Sequence, residues 1–409
     1  MTGLPSATIL YHYFHPDDVV SARHHSDLAE GLAHRGWNVV AHPCHRGCRD
    51  ESQKFPLRDF WNGVAIERVW RPNLKQSSNV GRVLNAAWML AAWSWIALTS
   101  KRRRDEVTIV GTDPILSVLS ALPFRFFRPE CRVAHWCFDL YPEAAIADGL
   151  LRERSIPVRV LKTLLTAAYR KCHLLADLGS CMAKSLEKYG SPAVASTLTP
   201  WALVEPAAIA EPDPSVRTKL FGEKASIGLL YSGTFGRAHS YAEFLELARL
   251  LRGTGVEFCF AGRGNRADEL KQATTADDTN IRFAGFAPEA ELEARLSACD
   301  LHLVSLRPEW TGTVVPSKFF GALAAGRGVL YAGSPDSAIA KWIEEYRVGF
   351  VLKSGKISDV ANELLRAASN PAEIVAMRRR CFEAYHRHFA KAAVLDRFDA
   401  ALRATLRPR

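Results

Sequence analysis

Several signatures that would name a chemistry outright are missing from these 409 residues. There is no Walker A lysine motif, no G-x-S-x-G elbow and no H-E-x-x-H. The first expected strand is not followed by G-x-G-x-x-G, which counts against a dehydrogenase. Cysteine is sparse and odd in number, nine spread along the chain, so a disulfide framework is excluded. His42, Cys44, His45 and Cys48 superficially resemble metal ligands, but their spacing fits no zinc finger and no second pair follows; no metal is expected. The opening MTGLPSATIL lacks the basic-then-apolar layout of a secretory signal, so reduced thiols and a cytoplasmic location are expected. No short repeat is visible. The chain does have core material, 48% hydrophobic residues, which excludes disorder, collagen and coiled coil, and its length suggests two or three domains.

Charge is unevenly distributed. The formal net charge is +10, with +7 in residues 1–200, −1 in 201–385 and +4 in 386–409. Residues 54–104 carry ten cations against only Asp59 and Glu67, interleaved with Trp61, Trp70, Trp88, Trp93 and Trp95. Basic charge mixed with tryptophan fits an anionic surface, nucleic acid or the inner face of a membrane. Within it, residues 84–100 are uncharged and apolar nearly all round. As a helix at about 1.5 Å per residue they reach roughly 26 Å, short of the ~30 Å hydrocarbon layer. Three readings stand: a span, a core helix, or a helix lying in the membrane interface, to which the following run 101–104 adds head-group attraction or merely a solvated helix end.

Short apolar runs alternate with helical patterns throughout, the pattern of parallel sheets covered by helices. Strands are expected at 8–11, 38–42, 64–69, 107–110, 132–138 and 173–178, then at 227–231, 256–261, 281–284, 301–305, 328–331 and 349–352. Ser21 is positioned to cap the first helix and Gly36 to stop it. The segment 205–215, with three prolines, reads as a linker. The expected organisation is an α/β chain of two Rossmann-like doubly wound domains facing across a cleft, 1–204 and 216–385, with ligand at the carboxyl ends of the strands.

Candidate residues follow from that rule. The strand 227–231 runs into Ser232, Gly233, Thr234, Phe235, Gly236, Arg237, Ala238 and His239, where glycines let backbone amides approach a phosphate and Arg237 and His239 add cations. Arg263 lies in a second glycine turn, Ala261 to Arg266. A third segment, Trp310 to Lys318, leads into a helix with Pro316 suited to its start. In the first half, Asp139 and Glu143 sit at a strand's carboxyl end, where catalytic or sugar-binding carboxylates belong, although Asp139 also suits a helix cap. His12, His15, Asp17 and Asp18 follow the first strand similarly.

These segments resemble the retaining nucleotide-sugar glycosyltransferases of family 4, with the two-domain GT-B fold, and more narrowly the subgroup of colanic-acid, O-antigen and capsule assembly. The resemblance rests on DVVSAR (Asp18 to Arg23), DLYPEA (Asp139 to Ala144), SGTFGRAH (Ser232 to His239), AGRGNR, the run Ala284 to Leu306, and TVVPSKFFGALAAGRGVL (Thr313 to Leu330). It implies that the second domain binds a nucleoside-diphosphate sugar through Gly233, Thr234, Gly236, Arg237, His239, Arg263, Glu309, Thr313, Val315, Ser317 and Lys318. The first domain would bind the acceptor, with His15, Asp18 and Arg23 on that side, and the segment 386–409 would cross back to it. Three departures stand out. The family's pair of glutamates spaced eight apart falls on Thr313 and Gly321, its first-turn lysine is His239, and its proline after Gly326 and Arg327 is Gly328. Contacts to the sugar and ribose then differ, through Glu309 or backbone groups.

The implied reaction is hexosyl transfer with retention, without a metal or cofactor, the nucleotide-sugar being a substrate. Arg237, Lys318 and helix N-termini would stabilise the leaving diphosphate. No side-chain nucleophile is assigned; Asp139 would orient or deprotonate the acceptor hydroxyl. The expected partners are a saccharide or polyprenyl-linked acceptor and the anionic inner membrane surface, met through 54–104, with no nucleic acid. The expected location is peripheral, at the inner face of the plasma membrane. A nucleotide-sugar epimerase of the same fold and an inactive nucleotide-sugar-binding subunit are the competing readings.

Overall fold

A computed structural model describes residues 4–407 except 77, 102, 104 and 354. The chain forms two compact units, Met1–Thr199 together with Val394–Arg409, and Pro200–Ala393.

Unit 1 runs β1 (Ser6–Leu10), α1 (Val20–His34), β2 (Asn38–Ala41), β3 (Arg58–Trp61), β4 (Val64–Glu67), α2 (Asn79–Thr99), β5 (Glu106–Val110), α3 (Ala121–Phe127), β6 (Arg132–Trp136), α4 (Glu143–Ala147), α5 (Ile156–Tyr169), β7 (Leu174–Asp177), α6 (Ser180–Glu187) and β8 (Val194–Thr197). Its sheet order is β3-β4-β2-β1-β5-β6-β7-β8, parallel except for the antiparallel edge strand β3. β1 and β5 are buried along their whole length, as central parallel strands covered on both faces must be. β3 and β8 escape the sequence reading because both are edge strands, RDFW and VAST, mostly exposed and without an apolar run.

Two local expectations need correcting. α1 begins at Val20 with Val19 as its cap residue and no side-chain cap bond, so Ser21 lies inside the helix. The stretch 54–104 is also not one surface. Arg68 is buried with its guanidinium on the carbonyls of Pro56 and His15, Arg71 is fully buried, and Trp93 donates its indole N–H to His42 O at 2.8 Å. Its residues Arg102 and Arg104 lie outside the described residues. α2 is capped by Ser78, whose hydroxyl accepts from Gly81 N, and buries Asn85, Ala86, Met89, Trp93 and Ala97 at near-helical spacing. Its other face leaves Val80, Val83, Leu84, Trp88, Trp95 and Leu98 exposed.

Unit 2 runs α7 (Pro214–Phe221), β9 (Ile227–Thr234), α8 (Ala242–Leu250), β10 (Val256–Arg263), α9 (Asn265–Ala273), β11 (Ile281–Ala284), α10 (Leu292–Ser297), β12 (Leu301–Ser305), α11 (Lys318–Ala324), β13 (Gly328–Ala332), α12 (Ala338–Tyr346), β14 (Gly349–Leu352), α13 (Ile357–Ala368) and α14 (Pro371–Ala384). The order β11-β10-β9-β12-β13-β14 is parallel throughout, a doubly wound sheet whose topology reverses between β9 and β12. Leu229, Phe258, Leu303 and Leu330 are fully buried in it, each worth about 1.5–3 kcal/mol of burial.

The division falls at Thr199/Pro200 and at Val394, not at 205–215 and 386. The segment read as a linker is packed within unit 2. Tyr385 Oη donates to Glu205 Oε1 at 2.5 Å, and the fully buried Arg327 donates to Ala210 O at 2.6 Å. Pro206 and Pro212 lie in its irregular stretch, and Pro214 begins α7. A π-helical turn, Tyr385–Phe389, also stays in unit 2, with Phe389 against Trp342. Helix α15 (Lys391–Leu406) joins unit 1 from Val394 onward, where Trp37 Nε1 donates to Asp399 Oδ1 at 2.6 Å and Phe398 packs edge-on against Trp136.

Candidate active site

In unit 2, β9 and β10 stay paired to their last residues, Gly233 opposite Gly262 and Thr234 opposite Arg263, so both glycines lie in strand ends and not in turns. Their approach is close: a Cβ on Gly262 would fall 2.1 Å from Gly233 O, and Gly233 itself has φ +116°. Gly262→Ala should therefore cost about 1–3 kcal/mol and splay the strand ends; thermal unfolding measures the loss and a nucleotide titration the damage to the site.

Lys318, at the start of α11, reaches over this corner. Its ammonium donates to Thr234 O at 3.0 Å, sits 5.0 Å from the centre of the Tyr231 ring and passes beside Gly233. Among the described residues no carboxylate pairs with it. Burial alone lowers it, to about 8, so at neutral pH the corner holds a positive charge without an anion. His239 shares the corner but is not a cation. Burial, with the charge of Lys318, brings it down to about 4, and its Nδ1–H donates to Ser305 O at 2.6 Å. That corrects the expected cationic role; the neutral ring offers Nε2 as an acceptor, suited to a hydroxyl.

The other donor-side candidates are less concentrated. Gly236 has open space around it, Arg237 is exposed, and Arg263 lies 4.9 Å from the ring of the exposed Phe286, a residue the sequence reading missed. Glu309 is exposed and paired with Arg307 at 3.6 Å. Thr313 is buried with its hydroxyl on Trp310 O, Val315 is buried, and Ser317 is exposed. At Gly321 a side chain would meet only Leu296 Cδ1, at 4.0 Å, so packing does not demand the glycine.

In unit 1 the sheet reverses between β1 and β5, and the groups beyond β1, β5 and β6 gather there. Asp139 lines a small recess with Thr112, Ser117, His135 and Tyr141. Protein close around it strips hydration, and with the charge of Asp113 this pushes the carboxyl up to about 6. Glu143 is engaged differently: Tyr189 Oη donates to it at 2.9 Å and Lys162 lies 3.4 Å away, which ties α4 to α5. His15 stacks on Trp61 at 4.3 Å, Asp18 pairs with Arg49 at 3.1 Å in solvent, and Arg23 is half-buried in α1. Asp113 was missed, although it follows its strand as Asp139 does. His42 and His45 each use Nδ1 on the backbone, with Glu67 O and Arg71 N, and among the described residues no three metal-ligating side chains converge.

Residues 227–370 match the model of the glycosyl transferases group 1 family. A Pseudomonas aeruginosa protein named probable glycosyltransferase WbjE is 27% identical over 257 residues, 62% of this chain and 64% of that protein, so the match spans less than two thirds of the relative. Among solved structures, a sucrose-phosphate synthase from Thermosynechococcus elongatus superposes with TM-score 0.70 at 14% identity, covering 98% of both chains. Anabaena Alr3699/HepE in complex with UDP gives 0.67 at 11% identity over 98% of this chain and all of that one, and the lipopolysaccharide glycosyltransferase WaaG 0.64 at 16% over 97% and 99%. At these identities the structures speak for the fold. Residues 227–370 are thus similar to the glycosyl transferases group 1 family, and the chain shares the GT-B fold of these solved structures.

Proposed function

We propose that this chain moves a hexosyl group, with retention of configuration, from a nucleoside-diphosphate sugar to a saccharide or polyprenyl-linked acceptor in cell-surface polysaccharide assembly. The observation that carries the proposal is the unpaired ammonium of Lys318 at the switch point of unit 2, over the glycine strand ends. Relatives of the same fold support it: HepE structures hold UDP and UDP-glucose, WaaG takes part in lipopolysaccharide biosynthesis, and WaaB is an outer-core galactosyltransferase. In the reaction the bond from the anomeric carbon to the phosphate oxygen breaks and the acceptor oxygen takes its place. The acceptor proton passes to Asp139 or to the leaving phosphate. Lys318, with Arg237 at the exposed lip, offsets the charge that grows on the diphosphate. Incubating the protein with UDP-, GDP- and dTDP-sugars and a lipid-linked acceptor pool, with product analysis by mass spectrometry, tests this. Transfer to an acceptor is expected; donor converted without an acceptor would indicate an epimerase and contradict the proposal.

The same reading places the protein at an anionic membrane surface. No helix among the described residues is long and apolar enough to cross a membrane. α2 instead offers the exposed row Val83, Leu84, Trp88, Trp95 and Leu98, and Phe126 on the neighbouring α3 is 80% exposed beside Arg125. An apolar stripe with cations and tryptophans at its border suits the head-group boundary. The protein should float with phosphatidylglycerol vesicles at low salt, less so at high salt, and the pair Trp95→Asp and Leu98→Asp should abolish flotation. Equal flotation of that variant would overturn the assignment.

A further inference from the structure

Among the described residues the buried arginines are Arg46, Arg68, Arg71, Arg128 and Arg327, and all but one donate within the fold. Arg46 donates to Arg71 O at 3.0 Å and Glu51 O at 2.9 Å, and Arg68 to Pro56 O, His15 O and Asp59. Arg128 holds both oxygens of Glu106 at 2.7 Å, and Arg327 donates to Ser297 O. Arg71 differs. It is 0% exposed, and among the described residues none of its three guanidinium nitrogens has a hydrogen-bond partner. A guanidinium keeps its proton in a protein, and a buried charge without a partner is among the costliest arrangements in a fold. The chain nevertheless fixes this residue firmly: its N–H donates to His45 Nδ1 at 3.1 Å and its carbonyl accepts from Arg46 Nε. Both partners lie just past β2, and the parallel pairing of β2 with β4 runs on to Cys44 opposite Val69. Arg71 therefore stands at the carboxyl edge of the unit 1 sheet, the edge at which α/β sheets take their ligands.

The surface next to it along the chain is apolar. Trp70 is exposed and meets Trp88 of α2 edge-on at 5.4 Å, and Trp88 Nε1 donates to Trp70 O at 2.7 Å. Leu84, one helical turn before Trp88, is exposed as well. A cation lacking its anion beside an aromatic and aliphatic surface complements one chemistry, a phosphate carried on a hydrocarbon chain.

We infer that Arg71 binds the phosphate of an isoprenoid-linked acceptor, its guanidinium taking the diphosphate while Trp70, Trp88 and Leu84 take the adjoining isoprenoid. This rests on the glycosyl-transfer reading above and names the group by which the acceptor is held. Full burial means that the phosphate enters only after a local opening. The stretch 72–76 adjoining Arg71 is irregular, and side chains tie it down: Asn85 Nδ2 donates to Leu74 O at 2.8 Å, and Glu51 Oε1 accepts from Gln76 N at 2.6 Å. Loosening those few bonds is offset by pairing a charge that the closed fold leaves unpaired.

The test is calorimetric titration of the full chain with farnesyl diphosphate and with inorganic pyrophosphate, in the wild type, Arg71→Met and Lys318→Met. The wild type should bind farnesyl diphosphate roughly tenfold or more tightly than pyrophosphate, and Arg71→Met should lose at least about tenfold of that affinity, as expected for a charge-assisted bond to phosphate. Lys318→Met should bind farnesyl diphosphate as the wild type does. Equal binding of the two probes means a free phosphate and overturns the isoprenoid assignment; binding that survives in Arg71→Met, or that depends on Lys318 instead, overturns the site. Melting of the same samples gives a second readout. Without ligand Arg71→Met should melt no lower than the wild type, because it removes an unpaired buried charge, and farnesyl diphosphate should raise the melting temperature of the wild type alone. A lower melting temperature for the variant would mean that the guanidinium is already satisfied within the fold, and would also overturn the inference. UDP titration separates the two levels. UDP bound by wild type and Arg71→Met with farnesyl diphosphate ignored by both sinks the acceptor site alone, whereas failure of every nucleotide to bind the wild type sinks the transfer reading itself.

Discussion

Lys318→Met should weaken nucleoside-diphosphate binding by roughly 10- to 100-fold, the size expected for losing a charge-assisted hydrogen bond to phosphate. The fold should survive it. Among the described residues the ammonium donates only to Thr234 O, burial already disfavours its charge, and methionine keeps the length of the apolar stem over Tyr231. The pH dependence follows with a definite sign. Lys318 is charged below about 8 and loses its proton above it, so affinity should fall as pH rises through that value. A bound diphosphate favours the ammonium and raises its value. The alkaline limb should therefore appear near 8 in kcat/KM, which reports the free enzyme, and at higher pH in kcat. Calorimetry and steady-state rates over pH 6–10 measure both limbs.

Asp139→Asn is expected to lower turnover by about 10²- to 10⁴-fold with donor affinity nearly unchanged, the range for removing a group that manages a proton in the transition state. Asp139 titrates at about 6, raised by burial and by Asp113, so the active ionised form predominates at neutral pH and is lost as pH falls through that value. Because folding raises this carboxyl, its ionisation opposes folding above its unfolded value. The asparagine variant should be no less stable than wild type at pH 7. Lost turnover with an unchanged melting temperature thus identifies a chemical role; wild-type turnover would remove Asp139 from the mechanism. Glu143→Gln should behave in the opposite manner, with a small loss of stability and activity, since its carboxylate is spent on Tyr189 and Lys162.

The sequence pattern exposed most of this architecture because central parallel strands are continuous apolar runs, and all six strands of unit 2 stand near their expected positions. The edge strands β3 and β8 carry no such run. Lys318 was legible through the resemblance carried by Thr313 to Leu330, which implies a cation near the diphosphate at this position. His239 was misread, since its neutrality depends on burial and on the ammonium of Lys318, which lies 79 positions away in the sequence. Asp113 was overlooked although it follows β5 as Asp139 follows β6; its significance lies in the contact with His12, 101 positions distant. The basic, tryptophan-rich stretch 54–104 mixed two populations, buried Arg68, Arg71 and Trp93 with exposed Trp70, Trp88 and Trp95, which only the helical register of α2 and the packing of the preceding loop separate.

The most direct test of the central claim is titration calorimetry of the full chain with UDP, GDP, ADP and dTDP at pH 7 and pH 9, in parallel with Lys318→Met. At least one diphosphate should bind the wild type, more tightly at pH 7 than at pH 9, and the variant should bind it weakly with little difference between the two pH values. Equal binding by wild type and variant, or no binding of any of the four by the wild type, would contradict the assignment of unit 2 as the nucleotide-sugar site.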